Sequence, residues 1–240
     1  ASGGQSARPA RVSQFAVGPD AGRPGPVTVY NADGSTGYAA DPFPGVTGGV
    51  RPAAADFNGD GVADVAAGTG PGTANRVVVI EGRTGGVLAA FAPFEATFTG
   101  GVFVAAGDVT GDGVPDLVVT PDQAGGPVVA VFDGAALARG EVFEVTRFFG
   151  IDDPGFRGGA RAAVGDVNGD GVADLVVSAG FGGGPRVAVF DGRSVPGGTP
   201  TRLFADFFAF EEGLRNGVYV AAGDVTGDGR ADLVLGAGPG

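Results

Sequence analysis

One nine-residue acidic pattern, D-x-(N/T)-G-D-G-x-x-D, is written four times along the chain, starting at Asp56, Asp108, Asp166 and Asp224. The starts are 52, 58 and 58 residues apart, a period that marks a chain built from repeated supersecondary units. The likeness extends beyond the acids. Runs of V-x-V-(aromatic or Ile) recur at Val27–Tyr30, Val77–Ile80, Val129–Phe132 and Val187–Phe190. Aromatic-rich runs follow them, as in Leu88–Phe94 and Leu203–Phe210.

Each unit reads as four short apolar segments. In the third full unit they are Ala160–Val167, Asp174–Ala179, Arg186–Phe190 and Leu203–Phe210. Their Val and Phe content, and the Gly, Pro, Asp and Asn clusters between them, are strand punctuation. The second segment is apolar without alternation, as in a strand covered on both faces. Helical periodicity is not evident. The 49 Gly and 17 Pro in 240 residues would suggest disorder in an aperiodic chain; with this period they are turns. The 43% hydrophobic content is enough for a core.

The expected fold is therefore all-β, a β-propeller of about four four-stranded antiparallel blades. First-type strands are placed near Val50, Val102, Ala160 and Val218. The second type occurs five times, because Phe15–Gly18 resembles Leu233–Gly236. Two arrangements stay open: a fourth blade closed by strands from both termini, or a slice of a longer array. The expected layout is a flexible leader over 1–11 and one propeller domain over 12–240. Its units run over about 12–48, 49–100, 101–158, 159–216 and 217–240.

The acidic loops have the chemistry of a hard-cation site: oxygen side chains at positions 1, 3 and 5, Gly at 6, and a carbonyl at 7. In the first loop Asp56, Asn58, Asp60 and Asp64 offer side chains and Val62 a carbonyl. The second offers Asp108, Thr110, Asp112, Asp116 and Val114. The third offers Asp166, Asn168, Asp170, Asp174 and Val172, and the fourth Asp224, Thr226, Asp228, Asp232 and Arg230. An EF-hand needs Glu at position 12, where this chain has Ala67, Val119, Val177 and Leu235; Asp at position 9 replaces it. All-oxygen ligands with three carboxylates favour Ca²⁺ over Mg²⁺. The competing reading is an Asp/Gly turn satisfying its own backbone, which four matching copies disfavour. Four Ca²⁺ would take the formal charge from −12 to −4.

What is missing narrows the chemistry. There is no Cys or His, and all 15 basic residues are Arg. Thiolate chemistry, the Ser-His-Asp triad and Lys Schiff bases are excluded. A net charge of −12 disfavours nucleic acid, and no run approaches the length of a membrane span. Any export signal is expected outside this chain. No Asn-x-Ser/Thr sequon and no tandem RTX-type repeat is present.

Weaker signals have plainer readings. The glycine run at Gly180–Gly184 precedes a strand, so it is an inter-strand turn and not a phosphate loop. The 18 Phe read mostly as core, and Arg157 and Arg161 as solvated or structurally paired. Asp152–Asp153 and Glu211–Glu212 are the carboxyl pairs outside the loops, as for a carboxylate enzyme, though adjacent acids at repeat ends are usually turn residues.

The D-x-(N/T)-G-D-G-x-x-D loops, followed by A-D-L-V-V-x-A-G and G-G-P-R-V-x-V-F-D-G runs, resemble FG-GAP/VCBS repeats of integrin-α-type β-propellers of bacterial exported type. The resemblance covers nearly the whole chain from about Val12. It implies calcium loops between the first and second strands of each blade, and an extracellular module binding a protein or glycan through the opposite face. Four repeats are fewer than the seven blades of an integrin head, and Thr110 and Thr226 depart from the usual acid or amide. The expected function is adhesion or protein interaction without enzymatic activity. The alternatives are a lectin-like carbohydrate binder and, less favoured, a carboxylate glycosidase or lyase.

Overall fold

The computed structural model describes residues 14–238; the leader expected over 1–11 lies outside them. The chain forms antiparallel sheets in sequence order. The first sheet holds β1 (Gln14–Val17), β2 (Val27–Asn31) and β3 (Thr36–Ala40). The second holds β4 (Val50–Ala55), β5 (Asp64–Thr69), β6 (Val77–Ile80) and β7 (Val87–Phe91). The third holds β8 (Val102–Gly107), β9 (Asp116–Pro121), β10 (Val128–Phe132) and β11 (Glu144–Phe149). The fourth holds β12 (Ala160–Gly165), β13 (Asp174–Ala179), β14 (Arg186–Phe190) and β15 (Phe207–Phe208). The last pair is β16 (Val218–Gly223) and β17 (Asp232–Ala237).

Every residue of β5, β9 and β13 is buried, as their unbroken apolar sequence requires. Sheets pack face to face, so the cores lie between them. Val118 and Val131 of the third sheet meet Leu175 and Val177 of the fourth in one cluster. The first strands are also neighbours: β4 packs on β8, β8 on β12, and β12 on β16. Glycine makes this approach possible: a Cβ on Gly107 of β8 would lie 2.4 Å from Val164 Cγ1 of β12, and one on Gly165 of β12 would lie 2.9 Å from Ala222 Cβ of β16.

Three details differ from expectation. The fourth strand of the fourth sheet is only two residues long. Phe190 bridges Arg202 while Val187 pairs Phe207, so two extra residues bulge out and bring the Asp206 carboxylate onto Arg186 and Arg202. Among the described residues, β16 and β17 do not pair with the first sheet, so both termini do not close one blade. The edge of β2 that β17 would need is already taken by β1, from Gln14↔Asn31 to Val17↔Thr28. Finally, two short helices appear after third strands: α1 (Gly134–Ala138) and a 3-10 turn at Gly192–Gly197. Asp133 caps the first by accepting from Ala136 N at 2.6 Å, and Asp191 caps the second from Arg193 N at 2.9 Å; five residues are too few for periodicity to reveal.

Candidate functional site

All four acidic loops join a first strand to a second strand. Their shape comes from backbone-to-carboxylate hydrogen bonds. In the first loop Asp56 accepts from Asp60 N at 3.0 Å and Gly61 N at 2.9 Å, Asn58 from Asp60 N at 3.0 Å, and Asp60 from Val62 N at 2.8 Å. Asp166, Asn168 and Asp170 repeat this in the third loop. Asp108 and Asp112 in the second, and Asp224 and Asp228 in the fourth, do the same without an amide at position 3. The turns need left-handed backbone at positions 4 and 6, and Gly59 and Gly61 supply it with φ of 73° and 84°.

Position 9 has a different setting. Asp64, Asp116 and Asp174 are wholly buried. In each, one oxygen accepts from the loop's position 2 and the other from a glycine after the third strand. For Asp174 these donors are Val167 N at 2.9 Å and Gly192 N at 3.0 Å, with Asn168 N at 3.2 Å. Asp64 holds Phe57 and Gly82, and Asp116 holds Val109, Thr110 and Gly134. Asp232 accepts from Val225 N and Thr226 N, both at 2.8 Å. Position 9 is thus a clasp between the loop and its own sheet. Burial pushes these carboxyls up, that of Asp116 to about 6, against the lowering effect of the backbone donors.

The donor chemistry of positions 1, 3, 5 and 7 suits a hard cation, since an oxygen that accepts one N–H keeps a second lone pair. Thr110 Oγ1, at position 3 of the second loop, is buried without a hydrogen-bond partner. Among the described residues no three acidic side chains converge on one point. Two loops also carry a cation of their own. Arg83 Nε reaches Asp60 Oδ2 at 2.9 Å, and Arg193 Nε reaches Asp170 Oδ2 at 3.0 Å. Both arginines follow the glycine after a third strand, in E-G-R and D-G-R. Those tripeptides were the available sequence signal.

Neighbouring loops are joined through backbone. Ala173 N donates to Asp108 O at 3.0 Å, and Ala231 N to Asp166 O at 2.7 Å. Pro115, at the same position of the second loop, has no N–H to give Asp56. Ala63 N donates instead to Gln14 Oε1 at 3.0 Å.

The ends of the sheets away from these loops hold two clefts. One, of about 330 Å³, is lined by Asp153, Phe156, Arg186, Phe208, Glu212 and Arg215 among others. It takes one member from each acidic pair singled out in the sequence, and adds arginines and aromatic rings. The other, of about 460 Å³, is mainly apolar, with Phe43 and Phe91 in its wall. Arg157 is exposed and donates to the carbonyls of Pro154 and Phe156, whereas Arg161 is buried. Among the described residues no helix is long and apolar enough to cross a membrane.

The family model described as "FG-GAP repeat" matches residues 158–194. That stretch carries an FG-GAP repeat. The matched stretch contains the third acidic loop with β12, β13 and β14. Among solved structures, the chain is similar to the exotype rhamnogalacturonan lyase YesX, with a TM-score of 0.54 and 14% identity over 93% of this chain and 42% of that one. It is similar to rhamnogalacturonan lyase YesW, with a TM-score of 0.53 and 12% identity over 95% and 54%. A Bacillus licheniformis rhamnogalacturonan lyase PL11 gives 0.53 and 15% over 93% and 44%. The chain spans about half the length of these structures or less. At such identities the likeness is one of fold. It nevertheless corrects two expectations: the fold relatives are rhamnogalacturonan lyases, so neither an adhesion module nor the absence of enzymatic activity stands as the reading of this chain.

Proposed function

We propose that this chain is a calcium-stabilised β-propeller segment of a carbohydrate-active protein that works on an acidic polysaccharide of the rhamnogalacturonan kind. The observation that carries the reading is the cleft holding Asp153, Phe156, Arg186, Phe208, Glu212 and Arg215, in a fold shared with three such lyases. Eliminative cleavage beside a sugar carboxylate needs a base for the proton next to that carboxylate and a cation to neutralise it. Asp153 or Glu212 is the first kind of group, and Arg215 the second. Phe156 and Phe208 offer apolar faces to sugar rings.

In this reading the sheets are blades, and Ca²⁺ is held at positions 1, 3, 5 and 7 of the four loops, where it supplies charge neutralisation and rigidity. The protein works outside the cell, where calcium is abundant enough for weak sites. The test is to incubate the purified protein with rhamnogalacturonan and follow the ultraviolet absorbance of unsaturated product, and to measure binding by calorimetry. Wild type should bind, and Glu212→Gln and Arg215→Ala should weaken binding or turnover. Unchanged behaviour in both folded variants contradicts the assignment of this cleft.

A further inference from the structure

The first strands carry a second pattern that the metal loops do not use. Their second residues alternate cation and aromatic ring: Arg51 in β4, Phe103 in β8, Arg161 in β12 and Tyr219 in β16. Because these strands are neighbours, the four side chains stack into one ladder. Arg51 Cζ lies 4.1 Å from the centre of the Phe103 ring, and Arg161 Cζ 5.6 Å from the same ring. Arg161 Cζ is also 3.9 Å from the centre of the Tyr219 ring. The ladder sits five residues from the start of each acidic loop, about 16 Å away along an extended strand.

Both guanidinium groups act on the Asp122 carboxylate, whose Oδ2 accepts from Arg51 Nη2 at 2.6 Å, and the Asp20 carboxylate also acts on Arg51. Arg161 is only 5% exposed. Its Nη1 donates to Val218 O at 3.1 Å, while its Nε, like Arg51 Nη1, is buried with no partner. Burial holds both arginines below the usual guanidinium value, and raises Asp122 although both arginines pull it down. Two guanidinium donors without a partner, one of them on the buried Arg161, are free to take an anionic acceptor. Asp122 stands where the other units have Gly70, Gly180 and Gly238, so this arrangement belongs to this chain's third sheet and not to the repeat as such.

We infer that the Arg51–Phe103–Arg161–Tyr219 ladder binds the carboxylate-bearing sugar of a uronate at its Tyr219 end, with the unpartnered guanidinium N–H groups taking the carboxylate and the exposed Tyr219 ring taking the apolar face of the pyranose. A planar guanidinium fork matches a carboxylate. Tyr219, nearly half exposed, is the accessible end. This deepens the polysaccharide reading by naming the charge of the sugar, and uses residues separate from the Asp153–Glu212 cleft.

The test is calorimetric titration of trigalacturonate, with uncharged galactotriose as control, into wild type, Arg51→Gln and Tyr219→Ala, each checked for folding by circular dichroism. Trigalacturonate should bind and galactotriose should not. The affinity should fall about tenfold or more in Arg51→Gln, and severalfold in Tyr219→Ala. If Arg51→Gln fails to fold, the exposed Tyr219 decides. Equal binding of both sugars, no binding of either, or undiminished affinity in folded Tyr219→Ala overturns the inference. Loss of binding in Arg215→Ala with intact binding in the ladder variants sinks the ladder and leaves the cleft. The reverse result keeps the ladder and sinks the cleft.

Discussion

Asp174 and Asp170 stand four residues apart in one loop, yet removing them should cost stability under different conditions. The Asp174 carboxylate is fully buried and holds three backbone donors, Val167 N, Asn168 N and Gly192 N. Asp174→Ala strands all three. A buried donor without a partner costs about 1–3 kcal/mol, which for three gives roughly 3–6 kcal/mol once partial access of water is allowed. Relief from burying a charge whose pKa is raised returns part of this, leaving about 3 kcal/mol net. Asp170, at the loop rim, accepts from Val172 N at 2.9 Å and makes a partly exposed ion pair with Arg193, contacts worth about 1 kcal/mol together in a partly solvated turn. Urea unfolding followed by circular dichroism in EDTA should therefore show a large loss for Asp174→Ala and a small one for Asp170→Ala. In excess Ca²⁺ the Asp170→Ala deficit should grow, because a ligand has gone and the wild type alone gains the binding energy. A loss below about 1 kcal/mol for Asp174→Ala in EDTA, or equal losses for the two variants, refutes the separation into clasp and ligand.

Two further outcomes are expected. With metal removed, the folded Asp116 carboxyl at about 6 binds its proton more tightly than the unfolded one at the usual value of 3.8. The stability associated with that proton is complete below the unfolded value and is lost as pH rises through about 6; Asp116→Asn should abolish this share of the pH dependence in urea midpoints. Arg83→Ala and Arg193→Ala remove the internal cations from Asp60 and Asp170. Each should tighten Ca²⁺ at its own loop about two- to fivefold at low salt in calorimetry.

Much of the architecture was legible because strand and turn chemistry repeat in register. Val50, Val102, Ala160 and Val218 were named as starts of first strands and do begin β4, β8, β12 and β16. What stayed hidden depended on contacts between distant segments. The bulge that shortens β15 comes from Asp206 meeting Arg186 and Arg202, a pairing no local pattern encodes. The pairing of β1 with β2 blocks blade closure by both termini, one of the two arrangements left open, although Phe15–Gly18 already looked like a second strand. In the loops, spacing gave the oxygen donors. It did not reveal that position 9 serves the backbone, because burial decides that. Nor did sequence order reveal the ladder: Arg51 and Asp122 are 71 residues apart, and Arg161 by itself looked like an ordinary paired arginine.

The most direct measurement is the number of calcium ions bound per chain, counted by native mass spectrometry after exchange from EDTA into excess Ca²⁺. Four ions should bind to wild type and three to Asp170→Ala, with melting temperature rising as the sites fill. A chain that stays metal-free in excess Ca²⁺, with an unchanged melt, would contradict the reading of the four acidic loops as cation sites.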